Sequence, residues 1–410
     1  MKIALISDIH FGSGATHNDM VIPGQKSEDH YANSKPFFEG DGGVLDILKN
    51  EKPDYLFISG DLTSTADPLE YEYCYEKLKL IEDIAGINKS NWLVCLGNHD
   101  CDWRISKLGA FRGRETPKKR FIKEHYMDTR TNDLETHKLV KELSENFSNE
   151  YEGFSVPMVG VVEYDDLIVF VLHSGIECTN DNNYGSIGNN QLEWLTNALK
   201  FFNEKREKKT KIILLHHHPH NYEYPIPDAD RSALVEGATL KALCGEQGVD
   251  IIIHGHRHHP RAETIVQNGW LNPITFICSG SLSVIQKERL GGEIPSMFHI
   301  MDCTDINKII LETYTYNLID GWDRKSTRDI DDVIWLGKSI MFQDVESIIA
   351  AMPCDGQEIE HVGLDDSLKY ISYKKLNYWI KKVFDEANYQ ITDEFPHSIR
   401  IRYKADLEAK

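Results

Sequence analysis

The segment Gly97-Asn98-His99-Asp100 directly follows the apolar run Trp92-Leu93-Val94-Cys95-Leu96, and it is one of five polar segments placed in this way. The other four are Asp8-Ile9-His10, Gly60-Asp61, His216-His217-His218-Pro219 and Gly255-His256-Arg257-His258. Short apolar runs that end in a polar turn are typical of buried strands. In α/β proteins the loops beyond the carboxyl ends of neighbouring strands open into one crevice. The sequence therefore predicts an α/β fold in which the five segments meet at one edge.

The five segments offer carboxylate, imidazole and amide oxygen, and none of them contains cysteine. Such a set of ligands suits Mn, Fe or Zn ions, whereas Mg²⁺ accepts several imidazoles poorly. There are enough ligands for two metal ions with one carboxylate between them. Two-metal sites of this kind hydrolyse phosphate esters. Each segment alone is a weak signal, but the ordered set of five is a strong one.

Composition and charge predict an ordinary soluble globular protein and disfavour polyanionic partners. The chain has 410 residues, of which 41% are hydrophobic and 27% charged, enough for one large domain with a small one. Its formal net charge is -20, from 45 basic and 65 acidic side chains. This charge repels anionic membranes and disfavours long nucleic acids as partners. Bound metal cations would still attract a small phosphoester, because they reverse the local field. Oligomerisation stays open.

The eight cysteines have no Cys-x-x-Cys spacing, and Cys95 and Cys278 lie within apolar runs. Buried reduced thiols are therefore expected rather than disulfides. The first strand begins at Lys2, which leaves no room for a signal peptide before it, and no apolar stretch approaches the roughly 20 residues that span a bilayer. A cytoplasmic protein without a membrane anchor is the prediction.

The ordered set resembles the calcineurin-like metallophosphoesterases, and is most similar to the bacterial class III cyclic-nucleotide phosphodiesterase branch. The segment Gly185-Ser186-Ile187-Gly188, followed by Gln191-Leu192-Glu193-Trp194-Leu195, is also similar to a helix opening in that branch. The resemblance covers roughly residues 1–317. It implies a four-layer α/β/β/α sandwich of two mixed β-sheets, with a site for two metals at the top edge of the sheets.

The resemblance also implies a role for each residue of the site. The first metal would be held by Asp8, His10 and His258, the second by Asn98, His216 and His256, and both by Asp61 as a bridge. A hydroxide bridging the metals would attack phosphorus in line with the leaving group, and His99 would protonate the leaving oxygen.

Several neighbouring residues remain ambiguous. In the run of three histidines the resemblance favours His216 as the ligand, with His217 as the open alternative. His218 and His220 are candidates for facing the substrate. Arg104 could bind phosphate through its two-pronged guanidinium, or form a surface ion pair instead.

In two places the sequence departs from the patterns of the purple acid phosphatases and of the calcineurin-type protein phosphatases, so neither subfamily fits. Purple acid phosphatases carry a tyrosine ligand three residues after the bridging aspartate and lack the histidine of the first segment, whereas this chain has Ser64 and His10. Calcineurin-type protein phosphatases continue with Val-Asp-Arg-Gly where this chain has Leu62-Thr63-Ser64-Thr65. A third departure has no evident meaning in the sequence, since Leu172-His173-Ser174 stands where Leu-Asp-Ser is expected.

The predicted organisation is a phosphoesterase domain over residues 1–317, with insertions at about 12–42 and 104–149, and a small α+β accessory region over 318–410 whose role the sequence does not reveal. The leading hypothesis is a phosphodiesterase acting on a small nucleotide-type or cyclic-nucleotide diester. One alternative is a DNA or RNA nuclease of the recombination-exonuclease type, which the net charge disfavours. The other is a non-catalytic scaffold, stabilised by metal, that binds a partner through the C-terminal region.

Overall fold

The computed structural model describes residues 1–25, 35–101, 159–175, 184–205, 208–220, 233–267, 269–284, 294–325, 332–360, 363–394 and 398–405. The strands in these ranges are β1 (Lys2–Ile6), β2 (Tyr55–Ser59), β3 (Trp92–Cys95), β4 (Gly160–Glu163), β5 (Leu167–Val171), β6 (Thr210–Leu214), β7 (Ile251–His254), β8 (Arg261–Ile265), β9 (Ile274–Cys278), β10 (Ser296–Asp302), β11 (Lys308–Asn317), β12 (Gly321–Arg324), β13 (Val333–Trp335), β14 (Asp355–Glu360), β15 (Tyr389–Glu394) and β16 (Ser398–Tyr403). The α-helices are α1 (Val44–Glu51), α2 (Pro68–Leu80), α3 (Gly188–Glu204), α4 (Gly237–Glu246), α5 (Phe342–Ala350) and α6 (Tyr373–Val383).

The first sheet is mixed and has the strand order β12-β11-β10-β1-β2-β3, with β13 also paired to β11. Strands β1, β2 and β3 run parallel, while β10 pairs antiparallel with β1. Two of the strands, β12 and β13, lie beyond residue 317, so the first sheet extends past the boundary predicted there. The domain limits themselves stay a prediction.

The second sheet has the order β4-β5-β6-β7-β9-β8. Its four central strands are parallel, and the edge strands β4 and β8 pair antiparallel with their neighbours. The side chains of β5 alternate between two cores, as the two-residue period of a strand requires. Val169 and Val171 join the core that is shared with the first sheet, while Ile168 and Phe170 join the core that contains α3 and α4.

The helices complete the layers. Helix α1 buries Val44, Leu45 and Leu48 in the core of the first sheet, and α2 adds Leu78. On the other side, α3 buries Leu195 and α4 buries Leu240 against the second sheet. The predicted four-layer sandwich of two mixed sheets is thus confirmed.

A small α+β unit follows in the chain. Strands β14, β16 and β15 form an antiparallel sheet, and α5 and α6 share a separate apolar core with it. Lys338 connects this part of the chain to the second sheet, because its Nζ lies 2.7 Å from the Asp250 Oδ2. Lys375 Nζ lies 3.3 Å from the carbonyl oxygens of Leu336 and Gly337.

The part of the chain that the structure describes also bears on the smaller predictions. Seven described cysteines are free thiols, and five of them are buried. No helix in the described ranges is long and apolar enough to cross a bilayer. Of the predicted insertions, 12–42 contributes the buried side chains of Met20, Phe37 and Phe38 to the core. The insertion 104–149 lies outside the described residues.

Candidate metal centre

The polar segments follow strands of both sheets and meet at one edge of the sandwich. In the first sheet, β1 leads to Asp8 and β3 leads to Asn98; in the second, β6 leads to His216 and β7 leads to His256. All four strands belong to the parallel part of their sheets, so their carboxyl ends point the same way. The fold therefore brings together residues that are far apart in the sequence.

One group of possible metal ligands consists of Asp8, His10, Asp61 and His258, whose ligand atoms all lie within 4.8 Å of one another. All four residues are buried. The Nε2 of His258 lies 3.0 Å from Asp8 Oδ1, and that of His10 lies 3.6 Å from Asp61 Oδ2. This is the set that the resemblance assigns to the first metal together with the bridging aspartate.

A second group consists of His216, His217 and His256, again with ligand atoms within 4.8 Å of one another. His216 Nδ1 lies 2.8 Å from the Ser59 carbonyl oxygen, which directs Nε2 into the site. There Nε2 lies 3.1 Å from Asp61 Oδ2 and 3.1 Å from Asn98 Oδ1. Asp61 thus contacts a histidine of each group.

The glycines of three segments leave room for side chains that come from other segments. A Cβ built on any of them would lie under 3.0 Å from such a side chain, a distance that real Cβ atoms do not show. The three pairs are Gly60 with His216, Gly97 with Asp61, and Gly255 with Asp8. The glycines of the sequence motifs are therefore needed for the placement of ligands.

The backbone at five of the candidate ligands has a positive φ. These residues are Asp8 (49°), His10 (53°), Asp61 (52°), His256 (68°) and His258 (52°). Left-handed backbone costs a residue other than glycine about 1–3 kcal/mol, and it concentrates at functional sites. Asp and His tolerate it better than most residues. The surrounding contacts hold these ligands in a conformation that they would not otherwise prefer.

The buried carboxylates and imidazoles of the site shift one another's pKa values. Burial by itself would raise the pKa of Asp61, but the imidazoles of His216, His99 and His10 outweigh it and bring that pKa well below its usual value. Burial also opposes a charge on His216, yet Asp61 and Asp8 raise the pKa of His216 to about 9. A metal ion must displace this proton, so metal affinity should rise with pH.

At three other histidines, burial outweighs the attraction of Asp61 for the charged form. It brings the pKa of His10 well below 6.5, with a further contribution from His99, and it also lowers the pKa of His217 and His256. Neutral imidazole is the form that binds a metal ion. These three residues are consequently in the ligand form at neutral pH.

His99 lies at the rim of the site and is partly exposed, unlike Asn98 beside it. Its backbone N–H donates to Asp61 Oδ1 at 2.8 Å, and its Nδ1 lies 2.7 Å from the Ser64 carbonyl oxygen. When Nδ1 donates to that carbonyl, the other ring nitrogen, Nε2, does not take part in this hydrogen bond. Ser64 itself donates through its hydroxyl to the His10 carbonyl oxygen at 2.8 Å. It therefore supports two residues of the site through the backbone.

Asp100 joins two of the ligand-bearing loops. Its carboxylate accepts hydrogen bonds from the backbone N–H of Thr63 and of Gly97, both at 2.9 Å, and from the Thr63 hydroxyl at 3.1 Å. Burial raises the pKa of Asp100 to about 6. The carboxylate of Asp100 thus fixes the loop after β2 against the loop after β3.

Of the three residues predicted to bind the substrate, two belong to the described part of the chain, and their surroundings differ. His218 is buried, with its ring centroid 6.3 Å from that of His256, and it belongs to neither ligand group. The ring of His220 packs against Phe276, and its Nε2 lies 3.6 Å from Glu263 Oε2. Arg104 lies outside the described residues.

The donor set fits a transition-metal ion. His10 Nε2 is buried and has no hydrogen-bond partner within the described residues, which is costly unless a further group binds there. Carboxylate and imidazole ligands without thiolate suit Mn, Fe or Zn. The sequence predicts His216 as the ligand with His217 as its alternative, whereas the structure places both imidazoles in the second group.

Comparison with known proteins supports the fold. Residues 1–260 match the family model described as calcineurin-like phosphoesterase. No curated protein sequence matches the chain. Similar solved structures include a purple acid phosphatase from yellow lupin, with 15% identity, a TM-score of 0.41 and coverage of 82% of this chain and 53% of that one. A putative 5′-nucleotidase from Staphylococcus aureus has 15% identity and a TM-score of 0.35, with coverage of 82% and 54%. Vacuolar Protein Sorting 29 from Cryptosporidium parvum has 14% identity and a TM-score of 0.32, with coverage of 80% and 98%.

The chain spans about half the length of the first two of these proteins. The family match includes all five polar segments, the last of which ends at His258. Because it covers more than half of the 410 residues, the chain belongs to the calcineurin-like phosphoesterase family.

Proposed function

We propose that the chain is a dinuclear metal-dependent phosphodiesterase that hydrolyses a small nucleotide-type or cyclic-nucleotide diester. The observation that carries this proposal is the position of Asp61, whose Oδ2 lies 3.6 Å from His10 Nε2 in one ligand group and 3.1 Å from His216 Nε2 in the other. A carboxylate between two imidazole-containing groups is the arrangement that a two-metal site needs. Metal ions bound there would activate water and stabilise the negative charge on the phosphoryl oxygens.

The side chains of the proposed site have separate tasks. Asp8, His10 and His258 would hold the first metal, and Asn98, His216 and His256 the second, with Asp61 shared. His99, as the imidazolium that carries a proton on both ring nitrogens, would protonate the leaving oxygen through Nε2, because its Nδ1–H donates to the Ser64 carbonyl oxygen. Proton transfer of this kind accelerates a reaction by about 10²–10⁴-fold when the leaving group is a poor one. An alkoxide leaving group of a diester is such a case.

Three observations support the substrate class. The chain resembles the class III cyclic-nucleotide phosphodiesterase branch in its segments from Gly185 to Leu195. Its Ser64 hydroxyl is bonded to the His10 carbonyl oxygen, so position 64 does not supply the ligand that purple acid phosphatases have there. The net charge of -20 disfavours a long polyanion. A small, singly charged diester meets the least repulsion.

The test combines elemental analysis with turnover of an aryl phosphodiester and an aryl phosphomonoester in the presence of Mn²⁺. We expect about two metal ions per chain and faster turnover of the diester, with both lost in Asp61→Ala. A panel of cyclic nucleotides would follow. Faster turnover of the monoester would refute the diester assignment, and a metal-free protein under all loading conditions would refute the metal site itself.

A further inference from the structure

His217 belongs to the second ligand group together with His216, although the resemblance favours His216 and keeps His217 only as its alternative. Its ligand atom lies within 4.8 Å of those of His216 and His256. The ring centroid of His217 is 4.4 Å from that of His256 and 5.0 Å from that of His216. His217 is buried. By contrast, the equally buried His218 next to it is in neither group.

Ser174 fixes the orientation of His217 through two contacts. The Ser174 Oγ accepts the backbone N–H of His217 at 3.0 Å, and the same oxygen lies 2.9 Å from His217 Nδ1. A hydroxyl oxygen has two lone pairs, so it can accept the Nδ1–H as well as the backbone N–H. In that tautomer the lone pair of the imidazole is on Nε2, as metal binding through Nε2 requires.

The backbone just before Ser174 is also fixed by hydrogen bonds. Gln191 of α3 binds the backbone of His173 at both ends, with Oε1 accepting its N–H at 2.9 Å and Nε2 donating to its carbonyl oxygen at 2.8 Å. The backbone of the segment Leu172-His173-Ser174 is thus fixed to the helix through His173, and its serine contacts the ring of His217.

Gly185 gives His217 the room that other ligands receive. A Cβ on Gly185 would lie under 3.0 Å from Cγ, Cβ and Nδ1 of His217. The same relationship joins Gly60 to His216, Gly97 to Asp61 and Gly255 to Asp8, all of which are candidate ligands. A glycine therefore makes room for the His217 side chain, as one does for the candidate ligands His216, Asp61 and Asp8.

We propose that His217 is a further ligand to the metal ion of the second group, with Ser174 as its positioning residue. Three imidazoles in one group select a first-row transition metal over Mg²⁺. The inference rests on the proposed function only in that it requires the two-metal site to exist. It adds a ligand that the resemblance does not supply.

The test is a titration of the full chain with Mn²⁺, in which electron paramagnetic resonance of the unbound ion measures the affinity of each site. We expect two sites in the wild type. Ser174→Ala should weaken one of them by about 10–100-fold, as is usual when the hydrogen bond that orients a ligand is lost. His217→Ala should weaken the same site further than Ser174→Ala does, and His218→Ala, as the matched control, should leave both affinities unchanged.

Circular dichroism would establish that each variant folds, and Ser174→Ala serves if His217→Ala does not fold. Wild-type affinity for both ions in Ser174→Ala and His217→Ala would overturn the inference. That outcome is distinct from failure of the proposed function, which would show as a wild type that binds two ions but hydrolyses neither aryl ester.

Discussion

Asp61 and His216 follow strands of different sheets, yet Asp61 Oδ2 lies only 3.1 Å from His216 Nε2. Asp61 comes after β2 of the first sheet, and His216 comes after β6 of the second. The two layers of the sandwich are therefore connected at their edge by the side chains of the candidate metal centre. Anything that changes ligand occupancy should also act on the packing between the sheets.

Asp61 and Asn98 should differ in how many metal ions they affect. Asp61 contacts histidines of both groups, whereas Asn98 Oδ1 lies 3.1 Å from His216 of the second group. We expect Asp61→Ala to lose both ions and Asn98→Ala to lose one. Elemental analysis after dialysis measures the difference. Equal metal content in the two variants would contradict the role of Asp61 as the shared ligand.

His99→Ala should keep both metal ions and lose turnover. The reason is that His99 contacts Asp61 through its backbone N–H, which the substitution retains, while its ring is the proposed proton donor. We expect a loss of about 10²–10⁴-fold on an alkyl diester and a smaller loss on a nitrophenyl diester, whose leaving group needs no proton. Equal losses on both substrates would exclude proton donation by His99.

Asp100→Ala should destabilise the fold. The substitution leaves the buried backbone N–H groups of Thr63 and Gly97 without their acceptor. The expected loss is about 3 kcal/mol in the free energy of unfolding, measured by urea denaturation. Asp365→Ala is the matched control, because the exposed carboxylate of Asp365 contacts Ser367 two residues further along the chain, and this substitution should leave the stability close to that of the wild type. Equal effects of the two substitutions would show that Asp100 does not join the loops.

His299 should make stability depend on pH. It is buried on β10, 3.0 Å from both the Thr313 hydroxyl and the Ser279 carbonyl oxygen, and burial lowers its pKa from 6.5 to about 4. The unfolded chain therefore binds the additional proton between these two values, and stability falls as the pH falls through that window. From pH 7 to pH 5 this residue should account for a loss of about 2 kcal/mol.

The matching measurement is urea denaturation of the wild type and of His299→Gln at both pH values. The difference in stability between pH 7 and pH 5 should be smaller in the variant by that amount. Should both proteins show the same difference, His299 would not be the source of the pH dependence.

Much of the fold could be predicted because its central strands are apolar runs with polar turns behind them. The apolar run Trp92–Leu96 predicts β3 to within one residue by that pattern alone. The strands that the pattern does not indicate lie at sheet edges. Strand β14, with the sequence Asp-Gly-Gln-Glu-Ile-Glu, is largely exposed, so burial does not impose an apolar face on it. Helix α4 was missed as well, since its apolar residues lack a clear helical period.

The candidate site was predictable in its residue types and less so in its geometry. The resemblance named seven ligands, and the structure brings all of them to one edge. The sequence could not settle which of the three consecutive histidines bind metal, because their side chains leave the strand end in directions that only the backbone determines. Nor could it link Ser174 and Gly185 to His217, since those contacts join distant parts of the chain.

The glycines that accommodate ligands from other segments have a consequence for how this sequence can change over time. A larger residue at Gly97 meets Asp61, and one at Gly60 meets His216, so neither position can vary while its counterpart stays the same. Among descendants of a common ancestor, each glycine and its ligand should therefore be retained or lost as a pair. A chain that has lost one ligand but keeps the glycine would be a recent departure, and one that has lost both would long have abandoned the chemistry.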